Sequence, residues 1–66
     1  MELLVIKNGA DYIRIKDKSY SAVGLDKASV FPFEGLAKVK DQLTDVQAGG
    51  FPEAAIYRLT LTETPL

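Results

Sequence analysis

Acidic residues are the first candidates for chemistry, because the sequence contains no histidine and no cysteine. Histidine most often serves as general base near neutral pH, and cysteine is a common nucleophile and zinc ligand. Asp41 and Asp45 are four residues apart, so on a helix they share a face and could contact a divalent cation. A solvated helix face explains the pair more simply. The sequence also lacks G-x-S-x-G and phosphate-binding glycine patterns, so we predict no catalytic, metal or cofactor-binding residue.

Basic residues interleaved with apolar residues are the second set of candidates. On one face of a sheet, such residues are typical of protein interfaces, which have an apolar centre and a charged rim. They are also found on sheets that bind single-stranded nucleic acid. A purely solvated face, with basic stems covering apolar neighbours, would carry the same residues. The predicted interaction face consists of Leu3, Val5, Lys7, Tyr12, Arg14, Lys16, Ile56 and Arg58.

Composition favours one small folded domain over residues 1–66. The hydrophobic fraction of 47% and the charged fraction of 26% are ordinary for a globular protein. A net charge of -1 gives no global field that would attract nucleic acid or anionic lipid. The longest apolar run, residues 3–6, is too short to span a bilayer, and the first residues lack the pattern of a signal peptide. We therefore expect a cytoplasmic protein without a membrane partner.

The first two strands form a predicted β-hairpin, because Asn8-Gly9 separates two apolar runs. A two-residue turn at Asn8-Gly9 would pair Ile6 with Asp11 and mix charge into the apolar face. A four-residue loop over residues 8–11 pairs Ile6 with Ile13 instead. Since a one-residue slip inverts every side chain, we predict the second register. On the other face it pairs Lys7 with Tyr12, Val5 with Arg14, and Leu3 with Lys16.

The middle of the chain gives weaker patterns. Asp17-Lys18 is a turn candidate without glycine, and a reversal there predicts a third strand over residues 19–23 with Tyr20 opposite Ile15. Residues 25–28 fit one helical turn. An extended stretch at Val30 and Phe31 is then expected before Pro32, a residue that suits the start of a helix.

One amphipathic helix follows, defined by an apolar stripe at helical spacing. Gly49-Gly50 supplies the left-handed conformation that commonly ends a helix, with Phe51 placed to fold back on the last turn. Pro52 blocks continuation. The stripe consists of Leu36, Val39, Leu43 and Val46.

The last strand is predicted over residues 55–62. Strict alternation places one set of side chains toward the helix and leaves Ile56 and Arg58 on the other face. The set predicted to face the helix is Ala55, Tyr57, Leu59 and Leu61. The predicted fold is thus α+β: a small, mainly antiparallel sheet in the order β-β-(β)-α-β, with one helix packed on one face. A single helix leaves the other face open.

Taken together, these segments resemble small uncharacterised bacterial and phage proteins with a hairpin, a short stretch of the form D-x-A-x-x-F, a helix and a closing strand. Here that stretch is Asp26, Ala28 and Phe31. The similarity extends over residues 5–9, 12–13, 25–31, 36–39 and 56–58. It implies this layout and no particular activity.

We therefore expect a non-enzymatic protein-interaction module. Its partner would be another protein or a second copy of the chain, bound through the open sheet face. Self-association is a common support for a domain of this size without disulfides. The alternative is a weak binder of single-stranded nucleic acid that uses the basic residues of the same face.

Overall fold

A computed structural model of the chain describes residues 2–65 and contains one helix and five strands, all paired antiparallel. This arrangement confirms the predicted α+β class with one helix on one face of the sheet. Short 3-10 turns at Leu25–Lys27 and Phe33–Gly35 flank the fourth strand. The elements in chain order are β1 (Glu2–Asn8), β2 (Asp11–Lys16), β3 (Ser19–Val23), β4 (Phe31–Pro32), α1 (Leu36–Ala48) and β5 (Ala55–Thr60).

Strand β1 is the centre of the sheet, because three other strands pair with it. Along one edge it pairs with β5 from Glu2 to Lys7 without interruption. Its other edge is shared: β2 pairs with Lys7 and Asn8, and β4 pairs with Leu3 and Leu4. The first hairpin therefore splits after two residue pairs, and β4 occupies the gap at the far end.

The predicted register of this hairpin is confirmed where the two strands pair, since Lys7 lies opposite Tyr12. The predicted four-residue loop is wrong, because Asn8 pairs with Asp11 and leaves Gly9-Ala10 as the turn. Gly9 has a φ of +64°, which glycine adopts without steric cost. The predicted pairs Val5 with Arg14 and Leu3 with Lys16 do not form, since β1 and β2 have separated there, and Leu3 pairs with β4 instead.

Ser29 fills the gap between the separated strands. Its backbone N–H donates to the Ile13 carbonyl at 3.2 Å, so it pairs with β2 where β1 no longer does. Its hydroxyl oxygen accepts from the Ile15 N–H at 2.8 Å and lies 3.4 Å from the Ile15 carbonyl, to which it donates. Buried backbone groups need such partners. One serine thus completes the inner edge of β2.

The second hairpin agrees with the sequence prediction. Asp17 and Lys18 form the turn with φ of +50° and +63°, the left-handed pair that two-residue hairpins favour. Tyr20 lies opposite Ile15, and Ile13 lies opposite Ala22. The helical turn predicted over residues 25–28 is present as Leu25–Lys27. The extended stretch predicted at Val30 and Phe31 is shifted by one residue, because β4 consists of Phe31 and Pro32, so Pro32 belongs to the strand and α1 begins only at Leu36.

The core lies between α1 and the sheet, and it is small. The predicted helix stripe is confirmed: Val39 and Val46 are buried, and Leu36 and Leu43 pack against them. Phe31, Phe51 and Ile56 complete the edges. The fully buried residues of this cluster are Leu4, Ile6, Ile13, Val39, Val46 and Ala54.

The two glycines after α1 have different tasks. Gly50 has a φ of +116° with open space where a Cβ would be, so backbone conformation alone selects glycine there. Gly49 has an ordinary φ of -85°, but its Cβ would lie 2.9 Å from the Tyr20 ring. The Phe51 N–H then donates to the Val46 carbonyl at 3.3 Å, which closes the helix end as predicted.

Replacing Ser29 with alanine should lower the free energy of unfolding by about 1–3 kcal/mol, because the Ile15 N–H would lose its acceptor in a half-buried gap. Chemical denaturation followed by circular dichroism measures the change. Ser21→Ala, at an exposed serine of β3, is the matched control and should shift stability by at most about 0.5 kcal/mol. Equal stability of the two variants would show that Ser29 does not hold β2 in place.

Gly49→Ala and Gly50→Ala should both destabilise, for separable reasons. For Gly50→Ala, we expect a cost of about 1–2 kcal/mol from the positive φ. For Gly49→Ala, the cost comes from the Tyr20 ring, so it should shrink in a Tyr20→Val background while the Gly50→Ala cost stays constant. Denaturation of the three single variants and the two double variants, beside the natural chain, completes the two cycles. A cost at position 49 that does not depend on Tyr20 would contradict this assignment.

Candidate interaction surface

The open sheet face is the side of the sheet opposite α1. Leu4 and Ile6 point into the core, so the alternating residues of β1 point the other way, and residues directly opposite each other in a ladder share a face. The open face therefore comprises Leu3, Val5 and Lys7 of β1, Tyr12, Arg14 and Lys16 of β2, Ser19, Ser21 and Val23 of β3, and Ala55, Tyr57 and Leu59 of β5.

The six predicted face residues on the first two strands share the open face, although only Lys7 and Tyr12 lie directly opposite each other, and the two on β5 do not lie there. Ile56 pairs with Ile6 and packs against the core, and Arg58 pairs with Leu4. The prediction for Ile56 and Arg58 is therefore wrong. Both alternating sets of β5 contain large apolar residues, so the alternation alone could not fix its face; pairing with β1 does.

Tyr57 and Leu59 occupy the open face in their place, together with Ala55. The prediction that these three face the helix is wrong for the same reason. Leu61, predicted on that side too, lies beyond the end of β5 and is 45% exposed. Tyr57 is 51% exposed, the largest exposed fraction among the exposed large apolar residues of the described chain. The register of β5 thus adds a second aromatic ring to the face.

Val5 is the buried centre of the open face. It is only 2% exposed although it lies outside the cluster beneath α1. Tyr57 of β5 lies directly opposite Val5, and on the other edge of β1 Val5 falls between the residues that pair with β4 and those that pair with β2. Val5 therefore contacts solvent far less than a residue on a free sheet surface would.

Lys7 connects the two tyrosines of the face. Its Nζ lies 5.0 Å from the centroid of the Tyr12 ring and 5.0 Å from that of the Tyr57 ring. A cation at this distance is attracted by the π electrons of each ring. Tyr12 comes from β2 and Tyr57 from β5, so one ammonium group bridges the strands on either side of β1.

Charge is segregated across the sheet. The open face carries the cations Lys7, Arg14 and Lys16, and no acidic residue is found among its described strand positions. The chain has nine acidic residues in all, against eight basic ones, so the rest of the molecule is negative. Arg58 lies on the helix side, 3.7 Å from Glu2, in an exposed ion pair. A net charge near zero therefore conceals one locally positive surface.

The cations Arg14 and Lys16 lie beside hydroxyl groups. In the β2–β3 ladder Arg14 is opposite Ser21, and Lys16 is opposite Ser19. These four residues line one shallow depression, together with Asp17 and Val23. The arrangement offers several hydrogen-bond donors to an anionic group at one end of the open face.

The acidic residues do not gather into a metal site in the described part of the chain. No group of three or more carboxylate, histidine or cysteine side chains converges among residues 2–65. Asp41 and Asp45 are both exposed on α1, as a solvated helix face would have them. Over the same residues, no helix combines the length and the apolar character needed to cross a membrane.

Comparison of the chain with protein-family models, with curated proteins and with solved structures gave no match. The resemblance to small hairpin, helix and strand proteins is thus one of layout.

The burial of Val5 predicts that Val5→Glu unfolds the domain, contrary to what an exposed position would allow. An unpaired carboxylate in that site should cost more than about 3 kcal/mol. Tyr57→Glu, directly opposite and half exposed, is the control and should cost about 1 kcal/mol or less. Circular dichroism and thermal melting of both variants decide the matter. A folded, stable Val5→Glu variant would mean that the face is looser than described.

Proposed function

We propose that this chain is a non-enzymatic interaction module of the cytoplasm, and that its open sheet face binds an acidic segment of a partner protein. The single observation behind the proposal is the bridge of Lys7 between Tyr12 and Tyr57 on a face whose described strand positions hold no acidic residue. A solvated surface has no need of such segregation.

The composition of the face supports a protein partner. Tyrosine and arginine are enriched in protein interfaces, and an apolar centre with a charged rim is their usual anatomy. The apolar centre that a partner can reach consists of Leu3 and Leu59, both half-buried, and the exposed ring of Tyr57, while Val5 lies buried beneath the surface. Arg14 and Lys16 form the rim at the β2–β3 end. An acidic segment would match the rim in charge and the tyrosines in apolar contact.

Self-association by stacking two open faces is the weaker form of this proposal. Two copies stacked with their β2–β3 ends together would bring the cations Arg14 and Lys16 of each against those of the other. Like charges facing each other across an interface are unfavourable. A partner of opposite charge avoids this repulsion.

Binding of single-stranded nucleic acid is the second candidate, and the placement of Tyr57 favours it. An exposed tyrosine and a half-buried one on the two strands that flank β1, together with three cations, are the parts of a base-stacking sheet. A net charge of -1 opposes it, since a polyanion also meets the negative remainder of the molecule.

A titration with a poly-glutamate peptide at low salt, followed by NMR chemical shifts, tests the proposal. We expect shifts at the amides of Lys7, Tyr12, Arg14 and Tyr57, because the positive face attracts the peptide. The double variant Arg14→Glu, Lys16→Glu should abolish them. A parallel titration with a thymidine oligonucleotide tests the second candidate, whose binding should fall steeply with salt.

The matched control is the double variant Lys38→Glu, Lys40→Glu on the exposed side of α1. It has the same net charge as the face variant, so overall charge cannot distinguish them. Equal weakening by both variants, or shifts spread over the helix, would exclude the open face as the binding surface. Tight, salt-sensitive binding of the oligonucleotide, without binding of the peptide, would contradict the proposal and favour nucleic-acid binding.

A further inference from the structure

Strand β5 leaves one backbone edge without a partner strand. It pairs with β1 through all six of its residues, and no other strand pairs with it among the described residues. Every second residue of such an edge strand presents its N–H and C=O groups outward. This row of donors and acceptors can bind another extended chain.

Natural proteins usually protect such an edge, and β5 lacks the usual protection. Proline, lysine and a β-bulge are the common devices. The strand contains neither proline nor lysine, and its pairing with β1 runs in register from Ala55 to Thr60. Its only charged residue, Arg58, is paired with Glu2. The edge is thus regular, nearly neutral and flanked by the exposed ring of Tyr57.

The other free edge of the sheet, β3, is less suited to self-pairing. The neighbouring strand β2 carries Arg14 and Lys16 on the open face, directly opposite Ser21 and Ser19 of β3. Two copies joined through β3 would bring four unpaired cations to one junction. The cation nearest to β5 on that face is Lys7, whose Nζ is held over the tyrosine rings.

We propose that β5 pairs antiparallel with β5 of a second copy, about a twofold axis at Tyr57. A twofold axis that joins two antiparallel edges is perpendicular to the sheet, so both open faces lie on the same side. Residues that lie opposite each other across the junction must point to the same face of the sheet. Because side chains alternate along the strand, the twofold axis must then pass beside one residue, which lies opposite its own copy. Tyr57 and Arg58 are the two central residues that can do so.

The register about Tyr57 is favoured by charge. A register about Arg58 places two guanidinium groups directly opposite each other, which is unfavourable. The register about Tyr57 pairs the two tyrosines, which form a favourable aromatic pair. It also places Ile56 opposite Arg58 of the second copy, so that an arginine stem covers a half-buried isoleucine.

The resulting dimer has one continuous sheet with two open faces side by side. This inference does not rest on the acidic partner proposed above, because backbone pairing along the edge of β5 needs no ligand on the open face, although the Tyr57 ring belongs to both surfaces. Pairing of the two β5 strands would bury additional surface, which small domains with a small core and no disulfides need.

Sedimentation equilibrium and concentration-dependent hydrogen exchange test the proposal on the unmodified chain. The mass should rise from 7.2 kDa toward twice that value with increasing concentration. The amides of β5 that point to the free edge should become protected in parallel, while those of β3 serve as the internal control and stay unchanged. A monomeric mass at high micromolar concentration with unchanged exchange in β5 would overturn the proposal, as would protection of β3 instead.

Single cysteines test the register, because the natural chain contains none. Under mild oxidation Tyr57→Cys should form a disulfide-linked dimer, since directly opposed Cα atoms lie about 4.5–5.5 Å apart, within disulfide range. Thr60→Cys is the control, because its copy would lie roughly 20 Å away along the strands. Faster crosslinking in a mixture of the Ile56→Cys and Thr60→Cys variants, whose positions oppose each other only in the register about Arg58, would overturn the Tyr57 register. Equal crosslinking of the Tyr57→Cys and Thr60→Cys variants would indicate random collision and overturn the pairing itself.

Discussion

The pairing of β1 on both edges is the constraint on which the rest of the structure depends. Because strands flank it on each side, its side chains are enclosed on both faces: Leu4 and Ile6 beneath α1, and Val5 on the open face. The same pairing sets the direction of every residue in β5. A core with so few buried residues contributes little stability in excess of conformational entropy. Pairing with β1 is therefore what positions β2, β4 and β5 in the domain.

Sequence predicted the local elements well because local patterns specify them. Asn8-Gly9 set the hairpin, and the apolar stripe and Gly50 defined the helix and its end. Sequence failed on β5 because the face of an edge strand depends on its pairing with β1, at the other end of the chain. Neither set of alternating side chains in β5 is purely polar, so the pattern cannot show which set faces the helix. The role of Ser29 was missed for a similar reason, since a single hydroxyl gives no pattern.

The observed register of β5 also changes the chemical composition of the open face. With Ile56 and Arg58 there, the face would hold one tyrosine and four cations. With Tyr57 and Leu59 there, it holds two tyrosines and three cations, and the arginine neutralises Glu2 on the other side. The corrected face is more aromatic, and Arg58 is not part of it. Whole-chain charge could not reveal this, because it averages a positive face with a negative remainder.

Tyr57 lies where the open face meets the free edge of β5, so the two proposed surfaces are physically coupled. Pairing of β5 would bury part of a ring that also contacts Lys7, and would hold that ring in one orientation. A partner that uses the same ring would then bind a surface already ordered, at a smaller entropic cost. Conversely, any ligand that binds only the folded chain stabilises it by mass action. In a domain with so small a core, a ligand on the open face and a second copy on β5 would both stabilise the folded chain, and the exposed ring of Tyr57 is the side chain that both would contact.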